Sequence, residues 1–275
     1  MSISIDFKDK AVVVIGGTSG INRGIAESFA SHGARIAVAS RDQSKVDDTV
    51  ASLEKAGATK AIGGSFDVRD ADAVLANLKS FHDALGDFDV VVSGAAGNFP
   101  AMAADMSFNA YRSVIDIDLM GTIHVMKGAY PYLKRPGASV INISAPQAYL
   151  PTDAQSHVCA AKAGVDQITR TPALEWGPEG LRINSVVPGI IDDTEGFRRL
   201  TANPGAVEQI IKSTPLGRLG VKQDVANGCL FLASDLAGFI NGQVLVVDGG
   251  VYMRGNGELG MQLVEALNAA KNQSK

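Results

Sequence analysis

The stretch AVVVIGGTSGINRG, residues 11–24, decides the fold. It opens with five apolar residues, mostly β-branched, a run typical of a strand buried on both faces of a parallel sheet. Glycines follow where the backbone has to turn, and Ile21, Ile25 and Phe29 then recur at the spacing of a helix face. A buried strand, a glycine turn and a helix in this order predict a βα unit. Its turn either binds a phosphate group at the helix N-terminus or is only a tight connection from strand to helix.

The same alternation of short strands and longer helices continues along the chain. Further strands are predicted near residues 35–39, 61–66, 89–92, 139–143, 182–187 and 243–247, with helical periodicity between most of them. No internal repeat and no linker-like change of composition divides the sequence. We therefore expect an α/β protein with a Rossmann-like, doubly wound parallel sheet of about seven strands, in a single domain over residues 1–275.

Composition narrows the class of protein. The 275 residues are 46% hydrophobic and 20% charged, with a net charge of −4, and no basic run exceeds a doublet such as Arg198-Arg199. Broad nucleic-acid binding needs clustered positive charge, and a membrane span needs about 20 apolar residues in a row. Two cysteines, Cys159 and Cys229, cannot form a disulfide framework and suit a reducing compartment. We expect a cytoplasmic enzyme with no nucleic-acid or membrane partner.

The end of the second predicted strand bears on the choice of cofactor. Proteins that bind NAD commonly carry a carboxylate there, whereas this chain has Ser40-Arg41. An arginine binds a 2′-phosphate through paired hydrogen bonds, which favours NADP(H). Asp42 keeps NAD(H) as an alternative, and a solvated arginine at a strand end is the plainer interpretation. Asp67 follows the third strand, where it either caps the loop or accepts from the adenine amine.

Motifs spread over the chain resemble the short-chain dehydrogenase/reductase family from Ala11 to Gly250. They are the glycine turn, Asp67, Ala95-Ala96-Gly97, Ser144, Lys162, Asn184 with Pro188-Gly189, and Asp248-Gly249-Gly250. The resemblance implies a set of cofactor-binding residues: Gly16, Thr18, Ser19, Gly20, Ile21, Asn22, Arg41, Asp67, Val68, Ala95, Ala96, Gly97, Lys162, Pro188, Gly189 and Ile191.

Two positions depart from the family pattern. The third glycine of the cofactor turn is replaced by Asn22, with Gly24 two residues later, and asparagine tolerates left-handed backbone better than most residues. The tyrosine that the family places four residues before Lys162 is Val158. Without a phenol to donate a proton, ordinary interconversion of carbonyl and alcohol is in question.

One branch of the family, the 2,4-dienoyl-CoA reductases of peroxisomal type, lacks that tyrosine and is similar to this chain in further segments. These are Ala95-Ala96-Gly97-Asn98-Phe99, Ser107-Phe108-Asn109-Ala110, Asp116-Ile117-Asp118 with Gly121-Thr122, His157, Glu175-Trp176-Gly177-Pro178 and Thr194-Glu195-Gly196 with Arg198-Arg199-Leu200. The resemblance implies NADPH-dependent reduction of a conjugated enoyl thioester in fatty-acid metabolism, with an acyl-CoA substrate.

The resemblance also implies roles for individual side chains. Lys162 is expected to bind the nicotinamide ribose, Asp118 to organise the water that delivers a proton, and Ser144 to lend a hydroxyl. His157 either donates to the thioester oxygen, contacts the CoA, or is simply a buried structural histidine. Substrate-binding residues are expected at Arg69, Phe99, Ser107, Phe108, Asn109 and Arg198. These positions also have purely structural interpretations. Lys162 could be a surface lysine, Asp118 a helix carboxylate and Ser144 a strand-end cap. Arg69 could be a solvated arginine and Phe99 a core phenylalanine.

Larger segments and alternatives complete these expectations. Residues 188–215 are expected to form a substrate loop and residues 253–275 a helical tail that packs on the body or on another subunit, as in a homotetramer. The final residues do not spell Ser-Lys-Leu, so the resemblance transfers chemistry rather than location. No spacing predicts a metal site. Two other functions stay open: a dehydrogenase or ketoreductase in which Tyr149 or His157 replaces the phenol, and a non-catalytic NADP-binding protein.

Overall fold

A computed structural model describes residues 5–200 and 205–253. The tail expected at residues 253–275 lies outside the described residues except for Met253, and residues 201–204 of the expected substrate loop lie outside them as well. In the part of the chain that the structure describes, no helix is both long and apolar enough to cross a membrane.

The centre of the molecule is a seven-stranded parallel sheet with the strand order β3-β2-β1-β4-β5-β6-β7. The strands are β1 (Ala11–Ile15), β2 (Arg35–Ser40), β3 (Lys60–Ser65), β4 (Val90–Ser93), β5 (Ser139–Ile143), β6 (Arg182–Pro188) and β7 (Val244–Val247). This confirms the predicted doubly wound α/β sheet. The strand order reverses between β1 and β4, and ligands of such sheets bind in the crevice outside the strand ends at that point.

Helices cover both faces of the sheet. They are α1 (Gly20–Ser31), α2 (Gln43–Ala56), α3 (Ala71–Leu85), α4 (Phe108–Val114), α5 (Gly121–Ala129), α6 (Ser156–Trp176), α7 (Glu195–Leu200), α8 (Ala206–Ser213) and α9 (Lys222–Ala233). A π-helical turn, Ile115–Met120, joins α4 to α5, so that the two form one long helix with a wider turn in the middle. Local chemistry sets several helix starts: Asp42 and Asp70 accept from the first-turn amides of α2 and α3.

Strand β1 shows that the hydrophobic core has two parts, one on each face of the sheet. All five of its side chains are buried. Val12 and Val14 pack with Phe29 of α1 on one face, whereas Val13 and Ile15 pack with Leu78 and other residues on the opposite face. Because side chains alternate across a strand, a run that is apolar at every position has to be covered on both sides. The continuous apolar run in the sequence therefore determines that helices lie on both faces.

Candidate active site

A cavity of about 290 Å³ lies at the carboxyl ends of β1, β2 and β4, at the point where the strand order reverses. Nine of the residues expected to bind the cofactor line it: Gly16, Thr18, Ser19, Asn22, Arg41, Asp67, Val68, Ala95 and Ala96. The remaining expected positions, Gly20, Ile21, Gly97, Lys162, Pro188, Gly189 and Ile191, are not part of this lining.

The glycine turn brings backbone close to the neighbouring strand and to the cavity. Gly16 has a φ of +77°, and a Cβ there would lie 2.8 Å from the backbone nitrogen of Ala95. The turn leads into α1, where the side chain of Ser19 makes no capping hydrogen bond to the helix. The first amides of a helix have no partner within the helix, so these amides are available to an anion.

Asn22 takes the place of the third glycine and holds the turn against β4. Its Nδ2 donates to the carbonyl oxygen of Gly94 at 2.7 Å, and a Cβ on Gly94 would meet the Asn22 amide at 2.4 Å. Its Oδ1 is buried and has no hydrogen-bond partner among the described residues. A buried acceptor of this kind in the lining of a cavity needs a donor from a ligand or from water. The turn, the open helix terminus and this acceptor fit a dinucleotide, which carries both phosphates and hydroxyls.

The end of the cavity beside β3 carries a close ion pair. The guanidinium of Arg69 donates to both carboxylate oxygens of Asp67, with Nη2 to Oδ2 at 2.6 Å and Nε to Oδ1 at 3.0 Å. This pairing lowers the pKa of Asp67, and the charge of Arg41 acts in the same direction. An expected cofactor residue and an expected substrate residue therefore contact each other directly, which the sequence does not predict.

Asp118 and Lys162 form a buried ion pair at the next strand ends. Lys162 Nζ lies 3.2 Å from Asp118 Oδ2, with the two side chains 7% and 1% exposed. Asp118 Oδ1 accepts from the backbone amide of Gly97 at 2.7 Å, and Lys162 Nζ donates to the carbonyl oxygen of Ile143 at 3.0 Å. Each charged group thus has a partner of opposite charge and a backbone hydrogen bond, which is what a buried pair requires.

The π-helical turn presents Asp118 to this site. A Cβ on Gly121, at the end of that turn, would lie 2.7 Å from Val68 Cγ2, so glycine lets the long helix lie directly against the loop after β3. The extra residue of a π turn shifts the side chains that follow, and such turns recur at functional sites. The sequence gives no sign of this turn.

Ser144 is a further buried polar residue near the carboxyl ends of the strands. It follows β5 directly after Ile143, its side chain is buried, and its hydroxyl oxygen has no well-formed hydrogen bond among the described residues. Asp166 lies one turn after Lys162 in α6. Burial raises the pKa of its carboxyl, and the Ser144 hydroxyl acts in the opposite direction. Asp166 is a residue that the sequence interpretation missed. The signal is a carboxylate at the spacing that puts it on the same helix face as Lys162.

His157 and Val158 lie in an apolar part of the site. His157 is fully buried, its ring centroid 4.6 Å from that of Phe99 and 6.1 Å from that of Tyr111. Burial lowers the pKa of His157, although the Phe99 backbone and the Asp118 charge act in the opposite direction. Val158 is buried in contact with Val114 and its neighbours. An imidazole in this setting is neutral at physiological pH.

A second cavity, of about 700 Å³, lies between the expected substrate loop and the segment after β7. Its lining includes Tyr149, Ile190, Leu216 and Tyr252, together with Gly189 and Ile191, which had been expected at the cofactor. Asp248 also lines it and accepts from the backbone amides of Gly250 and Tyr252, both at 2.8 Å. The cavity is large enough for part of a drug-sized ligand.

The residues expected to bind substrate do not all converge. Phe99 packs on His157, and Ser107 caps α4 by accepting from Ala110 N at 3.2 Å. Phe108 is 91% exposed, and Asn109 is exposed. Arg198 is exposed and pairs with Asp193 at 3.3 Å. Of these, none lines either cavity.

Comparisons with known proteins agree with this geometry. Residues 16–252 match a family described as Enoyl-(Acyl carrier protein) reductase. The chain is 38% identical to the peroxisomal 2,4-dienoyl-CoA reductase [(3E)-enoyl-CoA-producing] of Rattus norvegicus, over 96% of this chain and 91% of that protein. It is 37% identical to the protein of the same name from Arabidopsis thaliana, again over 96% and 91%. A short chain dehydrogenase from Bacillus anthracis superposes with a TM-score of 0.79 at 32% identity, covering 90% of this chain and 98% of that structure.

Proposed function

The chain belongs to the short-chain dehydrogenase/reductase family, and from this premise we propose that it is a 2,4-dienoyl-CoA reductase that uses NADPH in fatty-acid metabolism. The observation that carries the proposal is the buried pair of Asp118 and Lys162 beside a valine, Val158, at the position of the family's tyrosine. Carbonyl reduction needs a proton donor at the forming alkoxide, whereas reduction of a conjugated thioester needs a proton at carbon and donors for the thioester oxygen.

The immediate surroundings of Val158 support this choice of reaction. Val158 packs with Val114 and Ala161, and Phe99 lies against the same cluster, so no hydroxyl stands at that place. Tyr149 lies in the larger cavity, where burial first and the charges of Asp248 and Asp166 second raise its pKa. Tyr149 therefore stays a neutral phenol in the wall of that cavity. Among the described residues, the position four before Lys162, where the family carries its proton donor, holds a valine.

The residues of the chain take distinct roles in the proposed reaction. When bound, the nicotinamide dinucleotide supplies the hydride that adds to the far end of the diene. Lys162 binds the ribose next to the nicotinamide, and its ammonium group stabilises the negative charge of Asp118. Asp118 accepts a hydrogen bond from the water that delivers a proton to the substrate carbon. Ser144 donates to the thioester oxygen, where negative charge gathers as the double bonds shift.

Substrate binding divides between the two cavities in this proposal. The larger cavity, with Leu216, Ile190 and Tyr252 in its walls, takes the apolar acyl chain. Arg69 and Arg198 bind phosphate groups of the CoA, for which Arg69 turns away from Asp67. Phe99, Ser107, Phe108 and Asn109 contact the substrate outside the two cavities, since they belong to neither lining. The described residues of the expected substrate loop, 188–200 and 205–215, lie next to the bound substrate in this proposal.

NADPH is proposed over NADH because Arg41 lines the adenosine end of the smaller cavity. Asp42, the nearby carboxylate, accepts from Lys45 N at 3.3 Å and caps α2, so it is engaged in the start of a helix. A guanidinium at this place suits a 2′-phosphate, and a carboxylate bound to a helix N-terminus is poorly placed for a ribose diol.

The chain is also proposed to assemble with copies of itself, as a homotetramer, through the edge of the sheet at β7. Phe239 is fully exposed, Leu174 is 81% exposed and Val246 is 41% exposed. The segment that carries Phe239 is attached to α6 by Asn241 Nδ2, which donates to Ala173 O at 2.8 Å. Exposed apolar side chains around an edge strand mark an association surface. A reducing compartment, the cytoplasm, suits the two free cysteines.

The direct test is NADPH oxidation measured with 2,4-hexadienoyl-CoA, a 2-enoyl-CoA and a panel of ketones. We expect turnover with 2,4-hexadienoyl-CoA, little turnover with the 2-enoyl-CoA, and none with the ketones. Turnover of ketones alone would support a ketoreductase instead. Binding of NADPH without any turnover would support a non-catalytic cofactor-binding protein.

A further inference from the structure

Asp67 and Arg69 form an ion pair that spans the rim of the smaller cavity. Asp67 belongs to the lining of that cavity and its side chain is 27% exposed, whereas Arg69 lies outside the lining and its side chain is 47% exposed. A ligand inside the cavity therefore reaches the carboxylate, and a ligand outside it reaches the guanidinium. As long as the pair is closed, each of the two groups is occupied by the other.

The carboxylate of Asp67 has no acceptor position left for a ligand while the pair is closed. Its Oδ1 accepts from the backbone amide of Arg69 at 3.0 Å and from Arg69 Nε at 3.0 Å. Its Oδ2 accepts from Arg69 Nη2 at 2.6 Å and from Nε at 3.1 Å. Because a carboxylate oxygen offers two lone pairs, both oxygens are fully used. When only the guanidinium leaves, Oδ2 becomes free and Oδ1 keeps its bond to the backbone amide.

The backbone on both sides of Asp67 is held by hydrogen bonds to other parts of the fold. Phe66 N donates to Ser40 O, at the end of β2, at 3.0 Å. The carbonyl oxygen of Val68 lies 2.8 Å from Nδ1 of His124 in α5. Opening the pair therefore requires rotation of the exposed Arg69 side chain and no movement of the loop.

Asp67 remains a charged acceptor when Arg69 leaves it. The bonds from Arg69 are the main reason that the pKa of Asp67 lies below its usual value, and burial acts in the opposite direction. The charge of Arg41, which also lines the cavity, lowers this pKa as well. An aspartate without any partner is already ionised at neutral pH, so opening the pair leaves a carboxylate facing the cavity.

We propose that this ion pair couples the two ligands of the proposed function: NADPH and the acyl-CoA each have to open it, so that each binds more tightly when the other is present. The inference rests on the proposed function, in which Arg69 binds a CoA phosphate, and it assigns Asp67 to the adenine amine of NADPH. The first ligand loses part of its binding free energy in opening the pair, and the second ligand finds its group already free. Linkage requires the same factor in both directions. For an exposed ion pair this factor is about two to five.

Isothermal titration calorimetry at about 0.15 M salt, where distant exposed charges are screened, measures this coupling without any turnover. We expect the Kd of NADPH to fall about threefold in saturating CoA, and the Kd of CoA to fall by the same factor in saturating NADPH. Pantetheine, which has no phosphate group, should leave the Kd of NADPH unchanged. An unchanged Kd in saturating CoA, or weaker binding of each ligand in the presence of the other, would overturn the inference.

Substitutions in the pair should each favour a different ligand. Arg69→Met leaves Asp67 open to the cavity, so we expect NADPH alone to bind about threefold more tightly and CoA to bind more weakly. Asp67→Asn releases Arg69, so we expect CoA alone to bind about threefold more tightly and NADPH to bind more weakly. Neither variant should retain the coupling, because the pair that links the two ligands is gone.

Lys79→Met is the matched control for Arg69→Met. Lys79 Nζ pairs with Asp83 Oδ2 at 2.6 Å, as short a distance as in the Arg69 pair, but on the exposed face of α3 and outside the lining of the cavity. Its removal should change neither Kd and should leave the coupling intact. Coupling that survives in Arg69→Met would overturn the inference, and so would NADPH binding that is weaker in Arg69→Met than in Lys79→Met.

Turnover of 2,4-hexadienoyl-CoA by the wild type distinguishes failure of this inference from failure of the proposed function. Turnover without coupling overturns the inference and leaves the proposed function intact. Coupling without turnover refutes the proposed reaction and supports the ion pair as the link between the two ligands. No binding of CoA, with or without NADPH, refutes both.

Discussion

Lys162 Nζ lies 3.2 Å from Asp118 Oδ2, although the two residues come from different helical segments, α6 and the π-helical turn before α5. Both side chains are buried, and each makes a hydrogen bond to the backbone as well. Asp118 accepts from the amide of Gly97, and Lys162 donates to the carbonyl oxygen of Ile143. The pair therefore links the loop after β4, the end of β5 and two helices. Pairs of this kind are sensitive to the loss of either partner, because the other charge is left buried.

The first prediction concerns the charge of Asp118. Asp118→Asn retains an acceptor for Gly97 N but turns an NH₂ group toward the Lys162 ammonium, which repels it. Loss of a carboxylate that organises the proton-delivering water should lower kcat for dienoyl-CoA by about 10²-fold. Steady-state kinetics with saturating NADPH measures the change. Asp116→Asn, two residues earlier on the same turn, is the control and should stay within about twofold of the wild type. Equal losses in both variants would contradict the assignment.

Much of the fold can be predicted from the sequence because a strand buried in a parallel sheet is a short, continuous run of apolar residues. The predicted runs at Ala11–Ile15 and Ser139–Ile143 match the observed strands to the residue, since all but one of their positions are buried. Elsewhere the ends shift slightly; the helix expected from about residue 154 begins at Ser156. Helix termini depend on caps and on the neighbouring loop, which hydrophobic periodicity does not report.

Parts of the site could not be predicted because they depend on contacts between distant segments. The π-helical turn at Asp118 arises where Gly121 lets the long helix approach Val68, a contact between residues far apart in the sequence. The ion pair of Arg69 with Asp67 depends on where a loop after β3 points its side chains. Motifs identified Asp118, Lys162 and Asn22, but only the three-dimensional arrangement gives their hydrogen bonds and reveals Asp166.

The second prediction concerns Asn22 and cofactor affinity. Asn22→Gly restores the family's glycine but removes the bond to Gly94 O and the buried acceptor at Oδ1. We expect the Kd for NADPH to rise about tenfold, which is the size of one good hydrogen bond. Asn22→Asp should weaken binding further, because it places a negative charge near the carbonyl oxygen and the phosphates of the dinucleotide. Isothermal titration calorimetry gives both values. Tighter binding by Asn22→Gly would show that the amide obstructs the cofactor.

The third prediction uses the buried imidazole of His157. Its pKa is lowered in the folded protein by burial, so the unfolded chain binds a proton more readily. Stability from this residue is therefore fully present above the unfolded value of about 6.5 and is lost as the pH falls below it. The substitution His157→Phe removes this titration. The fall of Tm between about pH 8 and pH 5, measured by calorimetry, should therefore become shallower. His32→Gln is the control, and it should leave that decline unchanged. A steep decline that persists in His157→Phe would mean that other groups cause it.

The fourth prediction concerns Val158, which stands where the family carries a tyrosine. Val158→Tyr places a hydroxyl four residues before Lys162, where the family carries one, and should produce ketone reduction at least about tenfold above the background rate of the assay. The larger ring has to fit among Val114, Ala161 and Phe99, so we expect a loss of about 1–3 kcal/mol in the free energy of unfolding. Dienoyl-CoA reduction should not increase, because it does not use a donor at that place.

Val158→Phe separates the hydroxyl from the bulk of the ring in this experiment. It fills nearly the same volume, so its loss of stability should match that of Val158→Tyr, measured by urea unfolding. It should gain no ketone reduction, since a phenyl ring has no proton to donate. An equal gain in both variants would attribute the new activity to altered packing. No gain in either would indicate that the Asp118–Lys162 pair and the pocket around it are arranged for a reaction in which the proton goes to carbon.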